Sequence, residues 1–317
     1  VGTGEQRFGG GLYAVESRIR LVDVSFISNE ALLQGGGVYA QGGVLSIERG
    51  RFVSNMAGSD GGAITLLDGA LMVTGLEMIS NAADRGGALF SASASEVRLE
   101  NTEWITQAAR LGGAIYDNGS SNFIVNQGRF QSNQASQQGG AVYFTQTQSP
   151  LIGNAVFIHN AAPRGASVMA DTVVDLTLAG VSLAGNIPET GANLEAIGAG
   201  MTVVNSILWG NITETSASDV GSIDVSWSIA PAEVDGENLI TNDPLFQSAP
   251  TNDGSGLAPN LELQAGSPAI DSGNNDMIPV LDAFKIGVEK YGEDFMRRRF
   301  EESAIRLLKN IFNVGLF

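Results

Sequence analysis

The stretch Phe52-Val53-Ser54-Asn55-Met56-Ala57-Gly58-Ser59-Asp60-Gly61-Gly62-Ala63-Ile64 returns in altered form as Met78-Ile79-Ser80-Asn81-Ala82-Ala83-Asp84-Arg85-Gly86-Gly87-Ala88-Leu89. It has two anchors: a large apolar residue with Asn three positions on, then a glycine pair leading into Ala and an aliphatic residue. Outward from this stretch the first anchor recurs at Phe26/Asn29, Trp104/Gln107, Phe130/Asn133, Phe157/Asn160, Leu183/Asn186 and Leu208/Asn211. From Phe26 to Leu208 the steps between apolar members are 26, 26, 26, 26, 27, 26 and 25 residues. A fixed period in this range marks a solenoid, in which each repeat is one coil that cannot bury its apolar face alone.

Two further series keep step. Ile19, Leu45, Leu71, Val97, Phe123, Leu176 and Met201 precede the first anchor by seven residues, and Pro150 interrupts the series at its sixth place. The glycine corner runs from Gly9-Gly10-Gly11-Leu12 through Gly139-Gly140-Ala141-Val142, then decays to Gly165-Ala166-Ser167-Val168 and Gly191-Ala192-Asn193-Leu194. Local alternation such as Leu45-Ser46-Ile47 has the period of two expected of strands, and helical patterning is absent to about residue 280. The sequence therefore predicts an all-β parallel β-helix with coils of ~26 residues and three strands per coil. Coils stacked ~4.8 Å apart place the first and eighth roughly 34 Å from each other. Regular coils are expected over residues 8–211, with irregular coils and loops over 212–280. Asn29, Asn55, Asn81, Asn133, Asn160, Asn186 and Asn211 are expected to form a stacked structural ladder, since Asn tolerates left-handed turns and its amide hydrogen-bonds along a stack.

From Leu281 the chain changes character. Residues 1–280 hold 10 basic and 28 acidic side chains, against 7 and 6 in residues 281–317. Apolar residues now recur at helical spacing: Phe284, Val288, Tyr291, Phe295, then Phe300, Ala304, Leu307, Leu308 and Ile311. A second, helical unit over 281–317 is expected. It reads as a segment of foreign origin, or as a cap on the open end of the coils, whose unpaired strand edges invite covering.

Composition removes several function classes. The formal net charge is −17, so the basic footprint of a nucleic-acid binder is missing. No apolar run reaches the 18 residues of a membrane-spanning helix. The absence of Cys excludes thiolate catalysis and zinc-thiolate sites, and a single His, His159, excludes any His pair. No cofactor and no metal site is expected. The acidic loops Asn252-Asp253-Gly254-Ser255 and Asp271-Ser272-Gly273-Asn274-Asn275-Asp276 match no calcium-binding pattern and read as turns. The chain begins at Val1 without a signal peptide, which reads as a mature fragment.

Phe-x-x-Asn followed five or six residues later by Gly-Gly-Ala-Ile resembles the repeats of polymorphic outer-membrane proteins. Asn205-Ser206-Ile207-Leu208-Trp209-Gly210-Asn211, Asn242-Asp243-Pro244-Leu245-Phe246 and Leu263 to Gly273 resemble the end of secreted right-handed β-helix proteins. The resemblance covers roughly residues 8–280. It implies a right-handed β-helix exported to the bacterial outer surface or extracellular space, acting in adhesion. Glu289 to Phe312, with Val314-Gly315-Leu316-Phe317, is similar to the end of the barrel domain of family-three glycoside hydrolases, the β-glucosidases. That match includes none of their catalytic motifs, so no catalytic role follows, and the whole chain reads as a chimera.

Few side chains have the makings of chemistry. His159 takes the place of Ser28, Ser54, Ser80, Thr106 and Ser132 in other coils, just before the ladder Asn. Polysaccharide lyases on this fold type use a basic residue, for which Arg85, Arg110, Arg129 and Arg164 are best placed. Arg85 follows Asp60 by one coil, which points to an ion pair. One series has the makings of binding. Tyr13, Tyr39, Phe90, Tyr116 and Tyr143, with Thr65 and Met169 between and after them, follow the inward aliphatic of the glycine corner. Alternation turns them outward, an expected exposed aromatic row for sugar rings or a partner's apolar surface. The reading is a non-catalytic β-helix module for adhesion, with glycans or host and cell-surface proteins as partners. The alternative is a carbohydrate-active β-helix enzyme, a polysaccharide lyase or glycoside hydrolase.

Overall fold

A computed structural model of the chain describes residues 7–210, 214–248, 260–270 and 272–274. They form a parallel β-solenoid of about 8 turns with no helix. The first face is a nine-stranded parallel sheet, running from Leu12–Val15 through Ile115–Asn118 to Thr215–Ser218. The second and third faces share a fourteen-stranded sheet. In coils two to five its strands Val44–Val53, Ala70–Ile79, Glu96–Ile105 and Phe123–Gln131 fold over an edge without leaving the sheet. The fold line is a left-handed residue in each strand, Arg49 (φ 53°), Gly75 (φ 72°), Asn101 (φ 52°) and Gln127 (φ 57°). Later coils break there into separate strands such as Asp175–Ala179 and Ser182–Ala184.

The expected three strands per coil are joined by a fourth, short one. Ala108–Leu111, Gln134–Gln138, Ala161–Ala162 and Ile187–Pro188 make a four-stranded sheet between the Asn ladder and the glycine corner. It escapes sequence reading because its buried positions, Ala135, Ala162 and Pro188, carry no large apolar side chain. Four left-handed turns per coil close the circuit, and only the glycine corner keeps one residue type in nearly every coil. Its two glycines serve different ends. Gly61 takes φ 60°, the left-handed region. Gly62 has ordinary backbone, but a Cβ on it would sit 2.5 Å from the Ala82 carbonyl oxygen of the next coil.

The ladder forms as expected. The backbone N–H and side-chain amide of Asn55 both donate to Asn81 Oδ1 at 2.9 Å, and Asn81 Nδ2 donates to the Phe52 carbonyl at 3.0 Å. Asn29 to Asn55, Asn81 to Gln107, Asn133 to Asn160 and Asn160 to Asn186 repeat this paired link. Asn211 lies outside the described residues. Each amide satisfies backbone groups at a turn where the strand ladder lapses, so the row is both buried and hydrogen-bonded. Inside it runs a continuous core, with Phe52, Met78, Trp104, Phe130, Phe157 and Leu183 all fully buried.

The coil continues past the point where its period fades. Leu194 pairs with Thr215 and Met201 with Ile223, steps of 21 and 22 residues. Residues 214–226 therefore continue the solenoid as a shortened coil. Val225, Ala230 and Val234, with Leu239 packed against them, are the last buried members of this core, and Gly236–Glu237 stacks on Val225 and Ser226. The chain then folds back, so that Phe246, Leu263 and Ala269 cover Ile207 and Ile229 on the third face. The expected helical unit over 281–317 lies outside the described residues, as does the loop 252–255.

Candidate functional site

The aromatic series forms a column on the outer side of the first face, but it is not the open row expected. Tyr13 and Tyr39 stack at 5.2 Å with planes 5° apart. Thr65 interrupts the column, its hydroxyl donating to the Asp60 carbonyl at 2.8 Å. Phe90, Tyr116 and Tyr143 then stack at 5.5 and 5.1 Å. Tyr13 is 54% exposed, whereas Tyr39, Phe90, Tyr116 and Tyr143 are each 7% exposed or less. The physical reason is a flanking row that alternation alone does not reveal. Bridges link Phe8, Gln34, Asp60, Arg85 and Leu111 coil to coil beside the column. Phe8 lies 5.1 Å from the Tyr39 ring, and the Arg85 guanidinium lies over Phe90 at 4.9 Å and Tyr116 at 5.6 Å. The rings thus spend their faces on one another and on Arg85, as neighbouring rungs of a sheet do.

The phenol groups of Tyr39, Tyr116 and Tyr143 are held neutral. Burial pushes the Tyr116 hydroxyl up, and Arg85 opposes it. Burial and then the Asp171 carboxylate push Tyr143 well above the usual phenol range, and its hydroxyl donates to Asp171 Oδ2 at 2.8 Å.

The expected Arg85–Asp60 pair is present, and the other three candidate arginines are paired as well. Arg85 Nε donates to Asp60 Oδ1 at 2.6 Å, and Gln34 Nε2 to Asp60 Oδ2 at 2.7 Å. Asp60 is buried, so this pair is more than a surface contact. Arg110 binds Asp84 at 2.9 Å, holding that carboxyl below its ordinary range. Arg164 pairs with the buried Glu195, whose other oxygen, Oε2, has no partner. Arg129 bonds Gln131 at 2.8 Å. Arg85 and Arg164 do share one row, as the spacing implies, yet each already holds a carboxylate. His159 sits in the same left-handed turn as Ser54 and Ser80, at φ 53°, with Nε2 buried and unpartnered.

One polar cluster was missed in the sequence. Asp117 lies inside the core, stacked between Ser91 and Phe144. Its carboxyl accepts from the Ser91 and Thr147 hydroxyls at 2.5 Å, from the Ser120 hydroxyl, and from the Ser120 N–H at 3.3 Å. Burial raises its pKa above the ordinary carboxylate value, and the three hydroxyls pull the other way. The available signal was an acid at an inward alternate position with hydroxyl residues one coil away on either side.

A cavity of about 20 Å³ lies between Ser206, Trp227, Ser272 and Gly273, room for about one water. Among the described residues no group of three His, Asp or Glu gathers to hold a metal, and no helix is long and apolar enough to cross a membrane.

Fold and site together define a parallel β-solenoid whose outer side chains are arranged in coil-to-coil rows. Comparison with protein-family models, with curated proteins and with solved structures gives no match to this chain.

Proposed function

We infer that the chain is a non-catalytic module of a bacterial surface or extracellular protein, wound as a right-handed β-helix and acting in adhesion. Its partners are glycans or cell-surface proteins. The outer surface of the first coils supports this reading: outward charges are paired from coil to coil, as in Arg20–Glu48, Arg49–Asp23 and Arg51–Glu77. Such a surface offers many similar weak contacts in a line, the use to which solenoids put their extended faces. The likeness to polymorphic outer-membrane protein repeats agrees with it, and the likeness of 281–317 to a β-glucosidase fragment makes that segment foreign to the solenoid.

Tyr13, the one open ring of the column, is the first contact to test. A glycan array on the purified chain, run with lyase and glycosidase assays, is expected to show binding without turnover. Tyr13→Ser is expected to weaken that binding up to about tenfold, the worth of one aromatic contact. Turnover in either assay would replace this reading with a carbohydrate-active enzyme, and unaltered binding would remove Tyr13 from it.

A further inference from the structure

The crossing from the stack to the fold-back ends at an Asp–Pro bond. On its near side Ile240 still belongs to the coils. Its N–H donates to the Ser228 carbonyl at 2.9 Å, and its carbonyl accepts from the Ala230 N–H at 3.1 Å. Thr241, Asn242 and Asp243 then cross over exposed. From Pro244 the chain is held again. Pro244 is buried, and its carbonyl accepts from the Ser267 hydroxyl at 2.5 Å. The Leu245 carbonyl accepts from the Gln264 N–H at 2.9 Å, and the Phe246 carbonyl from Gln264 Nε2 at 2.8 Å.

Of the nine prolines in the chain, Pro244 alone follows an Asp. Its peptide nitrogen belongs to a tertiary amide, and the preceding side chain carries a carboxyl within reach of the carbonyl carbon. Here that reach is fixed by a turn. Asp243 Oδ1 accepts from the Leu245 N–H at 2.8 Å. The ring closed by this hydrogen bond includes the Asp243 carbonyl carbon and the prolyl nitrogen, so the carboxyl is folded over its own peptide bond. Leu245 takes φ 54°, a left-handed conformation costly for a branched side chain and held by the contacts around it.

We propose that Asp243–Pro244 is a self-cleavage site, at which the solenoid and the fold-back part covalently while staying packed. Asp243 Oδ2 attacks the main-chain carbonyl carbon of its own residue, an intramolecular step that the turn pre-orients. A C–O bond closes a five-membered anhydride, the C–N bond to Pro244 breaks, and the carboxyl proton passes to the prolyl nitrogen. Water then opens the anhydride, leaving Asp243 with two carboxyl groups and Pro244 with a free secondary amine. The reaction consumes water alone. Phe246, Leu263 and Ala269 keep their places over Ile207 and Ile229, so the C-terminal product stays bound. The proposal is independent of the adhesive reading.

The test incubates the purified full chain in mild acid that leaves the circular dichroism of the solenoid unchanged, and follows its mass. The expected products are residues 1–243 and 244–317, eluting together in native size-exclusion chromatography and apart in urea. Asp243→Asn keeps the Oδ1 acceptor of the turn but has no carboxyl to form the anhydride, and is expected to slow cleavage at least tenfold. At the same pH the folded chain is expected to cleave at least tenfold faster than the chain in urea. An intact chain, a cut at another bond, or an Asp243→Asn variant cleaved at the parent rate would overturn the site. Equal rates with and without urea would reduce it to the ordinary acid lability of an Asp–Pro bond and overturn the role of the turn. Products that separate without denaturant would overturn the retained packing.

Discussion

Asp117 shows how much one residue can set. Its folded-state pKa lies above that of the unfolded chain, so the folded state keeps a proton that the unfolded state releases. Stability is therefore expected to fall as pH rises from about 4, the unfolded value, toward the folded pKa. Asp117→Asn keeps the polar shape without the charge, and the Ser91 and Ser120 hydroxyls are able to accept from its amide. Urea denaturation across pH 4–8 is expected to show this slope in the parent and a flatter one in the variant; equal slopes would mean that Asp117 is not the group responsible. Gly62 makes the complementary point. It looks like a turn glycine in the sequence, yet it is present because the next coil leaves no space for a Cβ. The Asn ladder was legible residue by residue, since each member recurs and Asn has few other reasons to do so. Asp117 was hidden because it occurs once, and a period reports only what repeats.

At the scale of the element, residues facing each other across the coil are matched in volume. A Cβ at Gly11 would sit 2.7 Å from the Phe26 ring, and one at Gly37 3.1 Å from Phe52. Where the ring row gives way to Leu183 and Leu208, the equivalent corner positions carry Ser167 and Asn193, both fully buried. The smaller side chain on one wall is offset by the larger on the other, as close packing requires. Neither the Ser167 hydroxyl nor the Asn193 amide has a hydrogen-bond partner, so filling the space left two polar groups in the core unsatisfied. Gly37→Ser alone is expected to cost about 1–3 kcal/mol by overpacking. Joined with Phe52→Leu it should cost less than the sum of the two, with a coupling of about 1 kcal/mol in a double-mutant cycle. Simple additivity would break the proposed pairing. The same limit explains the aromatic column. Alternation gave the side of the sheet on which Tyr39, Phe90, Tyr116 and Tyr143 stand, but the row Phe8, Gln34, Asp60 and Arg85 that shuts them in comes from the preceding corner.

For the molecule as a whole, stability is shared between neighbouring coils, so damage stays local. Val234→Asp sets a charge into the last buried layer of the core. Hydrogen exchange is expected to quicken in Ser222–Ser226 and Leu194–Ile197, with the amides of Val44–Val53 unchanged. Uniform acceleration along the stack would show that the solenoid unfolds as one unit. By itself the sequence determined the solenoid, its period, the inward and ladder positions, and the Arg85–Asp60 pair, because each follows from a pattern that must repeat if coils are to stack. The tertiary structure alone decided that the core extends on a shortened path through Ser226 to Ala230 and Val234, and that Tyr39, Phe90, Tyr116 and Tyr143 are covered while Tyr13 stays open. Those outcomes depend on contacts between rows and on coils that break the period, where spacing along the chain no longer gives position in space.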